Sequence, residues 1–369
     1  MMKKIKRVSK KIIIAGGGTG GHIFPAIAIA NAIKSKDSSI EILFVGANGK
    51  MEMEKVPQAG YEIRGLDIAG LNRSSLIKNI GLPFKLLKSF MQVRKIFKEF
   101  GPDAVVGVGG YSTFPVLKYA QSKGIPTFIH ESNSFAGKAN IMLGKKATKV
   151  FTGTDNMEKF FPAEKILVTG NPVRKTIVNA SISKKEALEH FSLEEGQLTL
   201  LVVGGSLGAK SINEAVLAGM NDLLKAGLQV IWQTGKTFAK EAAGKAVEHK
   251  EVWINEFITS MEYAYAAADI IMARAGAMTV AEICVAKKPV VFVPYPYAAE
   301  DHQTVNAMQL VNKNAALMVK DSEAKEKAVK AVIDLAKNDA LRNEMAANLA
   351  KLAVTNADET VADEILKII

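Results

Sequence analysis

Apolar runs of four to six residues recur along the chain, and most give way to a turn and then to a longer stretch with helical spacing. They are Lys11–Ala15, Glu41–Val45, Ala104–Val108, Thr127–His130, Lys149–Thr152, Leu198–Val203, Val230–Gln233, Asp269–Ala273 and Pro289–Pro294. The runs are nearly continuous rather than alternating. Strands of that kind are buried on both faces, so the pattern predicts parallel sheets covered by helices on each side. The rhythm breaks between Lys165 and Leu198, in the polar, turn-rich stretch NPVRKTIVNASISKKEALEHFSLEEGQ, which begins at Asn171-Pro172. A strand followed by glycines then starts again. Two doubly wound α/β domains joined near Asn171 are expected, residues 1–170 and 171–339, with a helical stretch over about 340–369.

Length agrees with two domains, since 369 residues exceed the ~250–300 at which single cores stop growing. A chain 48% hydrophobic and 23% charged is globular rather than disordered or fibrous. Its one cysteine, Cys284, makes no internal disulfide and suits a reducing compartment. Met1 to Lys11 is basic, but only Ile12–Ala15 follow as an apolar run, too short for a secretory signal. No run of about 20 apolar residues is present. A cytoplasmic protein with a flexible basic tail is expected.

Charge is unevenly spread. Residues 1–170 carry 26 Lys and Arg against 12 Asp and Glu, a net +14, whereas residues 171–369 carry 22 against 25, a net −3. A basic half can face nucleic acid, anionic lipid or a phosphorylated substrate.

The chemistry starts in IIIAGGGTGGHIFPAIAIA, Ile12 to Ala30. Gly16, Gly18 and Gly21 match the G-x-G-x-x-G pattern of dinucleotide sites, between a strand and a helix. That pattern needs an acid at the end of the second strand, and Glu41–Val45 runs instead into Gly46-Ala47-Asn48. The loop also approaches a P-loop, but His22 and Ile23 stand where lysine and Ser/Thr are needed. What remains is a loop of small residues that brings backbone N–H groups and a helix N-terminus to an anion. His22, at its mouth, can take a proton from an attacking hydroxyl, or can be a helix-start histidine bonded to backbone.

A second glycine loop, VVGVGGYSTFP, follows Ala104–Val108 and offers Gly109, Gly110, Tyr111, Ser112 and Thr113. Two such loops on neighbouring strands would converge at the C-terminal edge of one sheet, where open α/β folds bind ligands. HESNSFAGKAN adds His130, Glu131 and Asn133 to that edge. The second half repeats the device. Gly204, Gly205, Ser206 and Gly208 lie between strand and helix, and RAGAMTVAEI opens a helix at Gly276-Ala277 with Thr279 and Glu282 one turn apart. A carboxylate there suits a ribose diol, or is simply a solvated helix residue. Asp301, His302, Gln303 and Asn306 form a polar cluster able to read sugar hydroxyls.

Taken in order, GGGTGGHIFPAIAIA, GVGGY, HESN, GNPVR, GGSLGA, EFI, RAGAMTVAE and DHQTVNA resemble the MurG family of N-acetylglucosaminyltransferases over about residues 11–320. The resemblance implies a GT-B fold with an interdomain cleft. It implies inverting transfer of N-acetylglucosamine from UDP-GlcNAc to the 4-hydroxyl of the MurNAc unit of lipid I, giving lipid II for peptidoglycan. The donor half would use Arg174, Ser206, Ile258 beside the uracil, Ala277, Glu282 on the ribose, Gln303 and Asn306. Thr19, Gly20, Gly21 and Asn133 would complete the UDP-GlcNAc contacts. The acceptor diphosphate would lie near Gly16, Gly17, Gly18, Gly109, Gly110 and Tyr111, with His22 as general base. By analogy with that fold, residues 340–369 would pack back on the first domain.

The family resemblance further implies no bound metal, no nucleic-acid partner, and a peripheral place on the cytoplasmic face of the inner membrane, in company with other cell-wall proteins. Ser74–Phe100, rich in apolar residues and in Lys78, Lys85, Lys88, Arg94 and Lys95, is the segment expected to meet an anionic membrane, and a core-facing helix with a solvated basic face explains much of the same pattern equally well. The chain departs from the family pattern at Ser132, His302 and Ala273. A different GT-B enzyme, such as a glycolipid synthase or a UDP-GlcNAc epimerase, and a non-catalytic nucleotide-sugar-binding subunit are the alternatives. The first would share the donor half but not GGGTGGH with GVGGY.

Overall fold

The computed structural model describes residues 9–70, 81–246, 249–298 and 301–369. The chain divides into two compact units, Met1–Pro172 with Asn356–Ile369, and Val173–Thr355. The first holds a seven-stranded, all-parallel sheet in the order β3-β2-β1-β4-β5-β6-β7. Its strands are β1 (Lys11–Ala15), β2 (Glu41–Ala47), β3 (Glu62–Leu66), β4 (Ala104–Gly107), β5 (Thr127–Glu131), β6 (Lys149–Thr152) and β7 (Ile166–Val168). The β-branched triplet Ile12–Ile14 makes β1 wholly apolar, and its place at the middle of the sheet buries it on both faces. The strand order reverses between β1 and β4, where Ala15 pairs with Gly107. The loops leaving these two strands therefore start side by side at a topological switch point.

The second unit repeats the plan with six parallel strands in the order β10-β9-β8-β11-β12-β13. They are β8 (Leu198–Val203), β9 (Leu228–Gln233), β10 (Val252–Asn255), β11 (Ile270–Ala273), β12 (Val290–Phe292) and β13 (Leu317–Met318). Here the order reverses between β8 and β11, with Val203 opposite Ala273. Both sheets thus place two strand-to-helix turns together at one edge.

The nine strands expected from apolar runs are all present. The four that the runs do not show, β3, β7, β10 and β13, are the outer strands of the two sheets. Outer strands are paired on one side only and are half-exposed, so their sequences carry no continuous apolar signal.

The C-terminal stretch differs from expectation. Helix Asp339–Leu352 belongs to the second unit, with Met345 and Leu349 in that unit's cores. Only helix Ala357–Leu366 joins the first unit, where Val361, Ala362 and Ile365 pack with Ile23, Ala26, Ile29 and Ile33 of helix Gly20–Lys36. A Lys36–Asp363 ion pair at 2.8 Å and a Lys149–Glu364 pair flank that contact. Helix Gly20–Lys36, which begins at the first glycine loop, is in this way clamped by the end of the chain.

Candidate functional site

In the first unit the two glycine loops meet. The Gly17 amide donates to the Gly109 carbonyl at 3.1 Å. Thr19 is the N-cap of helix Gly20–Lys36, and His22 sits in its first turn. Nδ1 of His22 lies 2.9 Å from the Gly17 carbonyl oxygen. A carbonyl only accepts, so Nδ1 carries the hydrogen and Nε2 of the neutral ring is left as a proton acceptor. Gly109 borders the ring on its other side. A Cβ there would come within 2.8 Å of His22 Cδ2 and Nε2, and φ at Gly109 is +97°, so the position admits glycine alone on both counts.

The Gly16–Gly18 loop differs from the expected anion cradle. Its amides are already taken: Gly16 donates to the Val45 carbonyl, Gly17 to Gly109, and Gly18 to the carboxylate of Glu52 at 2.8 Å. The anion-binding capacity moves one turn on, to the amides of Gly20 and Gly21, which an α-helix does not use internally. Glu52, 1% exposed, also accepts from the Ala47 amide at 2.9 Å. An acid does follow the second strand, then, but it reaches back under the glycine loop rather than out to a ribose. Its position five residues beyond the strand end hid it from the dinucleotide pattern.

Of the other first-unit candidates, Gly110 and Tyr111 lie on the second loop with Tyr111 49% exposed, and Thr113 bridges the loops by donating to the Ala15 and Gly109 carbonyls. Glu131 is buried and organises its own loop, accepting from the Asn133 backbone and side chain and from Gly137 and Asn140. Asn133 is thereby anchored at the sheet edge. His130 is fully buried, and burial pushes its pKa down to about 4, with a smaller contribution from His22. Ser132, a departure from the family pattern, places its hydroxyl 3.3 Å from His130 Nδ1.

In the second unit, Glu282 is not a solvated helix residue. It is buried, with Oε1 accepting from Nε and NH2 of Arg174, each at 3.0 Å, and Oε2 accepting from the Tyr265 hydroxyl at 3.0 Å. Helix Ala277–Ala286 starts beside it, so the first-turn amides of Ala277, Met278 and Thr279 form an anion-binding terminus. Ser206 is exposed on the loop after β8, whose Gly205 carbonyl is braced by Gln233 Nε2 at 2.7 Å. The Ile258 side chain, by contrast, is 3% exposed in the core, so a base could meet only its backbone. Gln303 accepts from the Tyr295 amide at 2.9 Å, and Asn306 donates to the Ala275 carbonyl at 3.1 Å. His302 opens the helix His302–Val311 that carries both.

Tyr265 and Arg274 escaped the sequence reading. Tyr265 looks like a core aromatic of helix Met261–Ala267, and only its hydroxyl contact reveals another role. Arg274 is buried at the end of β11, donating to the Val293 and Pro294 carbonyls, to Asp321 and to Ser211. It ties the turn after β11 to the turn after β12, which leads toward Gln303. Its neighbour Ala273, the third departure, is a fully buried strand end.

Helix Leu82–Phe100 turns Val93, Ile96 and Phe97 into the core and leaves Phe84, Leu87 and Met91 exposed by 76%, 62% and 59%. Lys85, Lys88, Arg94 and Lys95 are exposed around them. Phe90 packs instead on Phe114. Leu76, Ile77, Lys78 and Ile80, which belong to the same expected membrane segment, lie outside the described residues, as does the basic stretch 1–8. Among the described residues no helix is long and apolar enough to cross a membrane, and no group of three or more His, Cys, Asp or Glu side chains could hold a metal ion.

Comparison with known proteins places these features. Residues 12–152 match the glycosyltransferase family 28 N-terminal domain, and residues 199–361 match the family 28 C-terminal domain. The chain is 50% identical over 361 residues to the UDP-N-acetylglucosamine–N-acetylmuramyl-(pentapeptide) pyrophosphoryl-undecaprenol N-acetylglucosamine transferase of Phocaeicola vulgatus, covering 97% of this chain and 96% of that one. It is 47% identical to the transferase of the same name from Parabacteroides distasonis, over 97% and 98% of the two chains. Among solved structures, Acinetobacter baumannii MurG superposes with a TM-score of 0.78 at 31% identity, over 97% of this chain and 99% of that one. A UDP-GlcNAc 2-epimerase from Neisseria meningitidis, at 16% identity and a TM-score of 0.69 over 97% and 100%, shares the fold alone.

Proposed function

The chain belongs to the MurG family of glycosyltransferases, and from that premise we infer that it transfers N-acetylglucosamine from UDP-GlcNAc to the MurNAc unit of lipid I, giving lipid II for peptidoglycan. The observation that carries the mechanistic reading is the Gly17–His22 hydrogen bond, which leaves Nε2 of His22 as the acceptor beside the second glycine loop.

In this reading Nε2 takes the proton of the MurNAc 4-hydroxyl as that oxygen attacks C1 of N-acetylglucosamine. The new C1–O4 bond forms as the bond from C1 to the diphosphate oxygen breaks, and the electron pair leaves with UDP. Attack opposite the leaving group inverts C1. The first-turn amides of Ala277–Thr279 and the Ser206 loop take the charge of the departing diphosphate, as helix N-termini do for developing anions. No bound metal is then needed. Glu282 holds the ribose diol with lone pairs that Arg174 and Tyr265 leave open, Ile258 offers its backbone to uracil, and Gln303 and Asn306 orient the sugar. In the first unit the Gly20 and Gly21 amides and the Gly109–Tyr111 loop reach the acceptor diphosphate, and Thr19, Gly20, Gly21 and Asn133 keep their expected role toward UDP-GlcNAc.

The exposed Phe84, Leu87 and Met91 with their basic border support docking on the anionic membrane surface that carries the acceptor, on its cytoplasmic side. Association there with other cell-wall enzymes belongs to the same reading. No property of the site calls for nucleic acid.

A transfer assay tests the core of this. Labelled UDP-GlcNAc and a short-chain lipid I analogue are supplied with and without EDTA, to wild type and to His22→Ala. Labelled disaccharide-lipid in both wild-type tubes, and its loss in a variant that still binds UDP-GlcNAc, are expected. Donor binding without any product would shift the assignment to another GT-B activity.

A further inference from the structure

One peptide group joins Gly17 to Gly18, and it is engaged at both ends. Its carbonyl oxygen, on Gly17, accepts from His22 Nδ1 at 2.9 Å. Its N–H, on Gly18, donates to Glu52 Oε2 at 2.8 Å. We propose that Glu52 is a positioning residue for His22, acting through this peptide; the inference rests on His22 being the base.

The approach is built in. Glu52 is 1% exposed, and its second oxygen is held by the Ala47 amide at 2.9 Å, so the carboxylate cannot rotate away. A Cβ on Gly17 would lie 2.3 Å from the carboxylate carbon, and one on Gly46 would lie 2.5 Å from Glu52 Cγ. Glycine at those positions is what lets a charged group slide under the loop. Nothing in the proposed reaction touches Glu52, and an acid buried this close to the anion-binding amides of Gly20 and Gly21 would by itself weaken anion binding. Its position makes sense as support for the histidine.

An N–H given to a carboxylate makes a charge-assisted bond and polarises its peptide, so the carbonyl at the other end becomes a better acceptor. The Gly17 oxygen then holds the His22 ring with hydrogen on Nδ1 and steadies the imidazolium formed when Nε2 takes the substrate proton. An aspartate does the same directly in Ser-His-Asp triads; here one peptide stands between. The proton passes from the acceptor hydroxyl to Nε2, Nδ1 keeps its own, and none moves to Glu52. His130 is the histidine that interacts electrostatically with His22, and burial holds it neutral down to about pH 4; Tyr111 follows Gly110 on the adjoining loop.

The test uses full-length Glu52→Gln, His22→Ala and the double variant. Glutamine has one acceptor oxygen where the carboxylate has two, and no charge. Transfer is expected to fall about 10- to 100-fold, the usual cost of losing a group that orients a functional histidine, with UDP-GlcNAc affinity unchanged. The acidic limb of the kcat/KM profile should move to lower pH, which a loosened fold would not produce. Adding Glu52→Gln to His22→Ala should cost nothing more. If His22→Ala itself transfers normally, the base reading fails. If it is inactive while Glu52→Gln keeps wild-type rate and limb, or if the two losses multiply, the role of Glu52 is overturned and the base reading stands. Ring ¹⁵N shifts of wild-type His22, assigned against His22→Ala, decide the matter even should Glu52→Gln not fold. A neutral ring with its hydrogen on Nε2 overturns the proposal.

Discussion

Tyr265 donates its hydroxyl to Oε2 of Glu282 at 3.0 Å, with both groups buried in the second unit. Burial first, and then the Glu282 charge, raise the Tyr265 pKa well above the ordinary phenol range, so the hydroxyl remains a donor at any working pH. With Arg174 on the other oxygen, the carboxylate is fixed before a ribose arrives. Tyr265→Phe removes one hydrogen bond to a charged group, worth about 1.5–3 kcal/mol. UDP affinity should drop about 10- to 100-fold by calorimetry, that range converted at about 1.4 kcal/mol per decade, and thermal stability should fall with it. Unchanged UDP affinity would assign the contact to folding alone.

Gly109→Ala places a methyl 2.8 Å from the His22 ring at a backbone angle of φ +97°. The ring must turn, and the bond from Nδ1 to Gly17 is lost with it. Transfer should fall at least about a hundredfold, as when a general base is misplaced. UDP-GlcNAc binding by the second unit should not change, so a parallel loss of donor affinity would contradict this account.

His130 gives the first unit a pH dependence. Its folded pKa, pushed down to about 4 by burial, lies below the ordinary histidine value of 6.5, so between those values the unfolded chain binds more protons than the folded one. Stability should therefore fall as pH drops from about 6.5 toward 4, and should be level above that window. The shift amounts to something on the order of 3 kcal/mol. His130→Gln, neutral at every pH, should flatten the melting-temperature profile over that window. A variant with the wild-type slope would place the dependence elsewhere.

The exposed face of helix Leu82–Phe100 can be changed without touching the core. Phe84→Ser with Leu87→Ser removes two large apolar side chains, each worth about 1.5–3 kcal/mol when fully buried. Co-sedimentation with anionic vesicles should fall at least about tenfold, while melting temperature and transfer to a water-soluble acceptor analogue stay as they are. Undiminished vesicle binding would take the membrane role away from this face.

Much of this was legible in the chain. The inner strands of both sheets announce themselves because a strand covered on two faces must be apolar throughout. Glycine loops after β1, β4 and β8 are legible because tight turns and close backbone contacts tolerate little else. The four edge strands were not, and neither was the split of the C-terminal stretch. Which unit a helix joins depends on the complementary surface it finds, here Met345 and Leu349 in one unit and Val361 and Ile365 in the other.

The candidate site divides in the same way. His22, Gly109, Ser206 and Glu282 stand out by residue type and place after a strand, so the sequence by itself determined which groups gather at the two switch points. Only the tertiary structure decided how they are held. It took the Gly16–Gly18 amides out of anion binding, turned the Ile258 side chain into the core, and brought Glu52, Tyr265 and Arg274 to support the rest. Apart from the Glu52–Ala47 bond, those three act through hydrogen bonds to residues 17 to 63 positions distant, and such partners are chosen by packing, which no local pattern records.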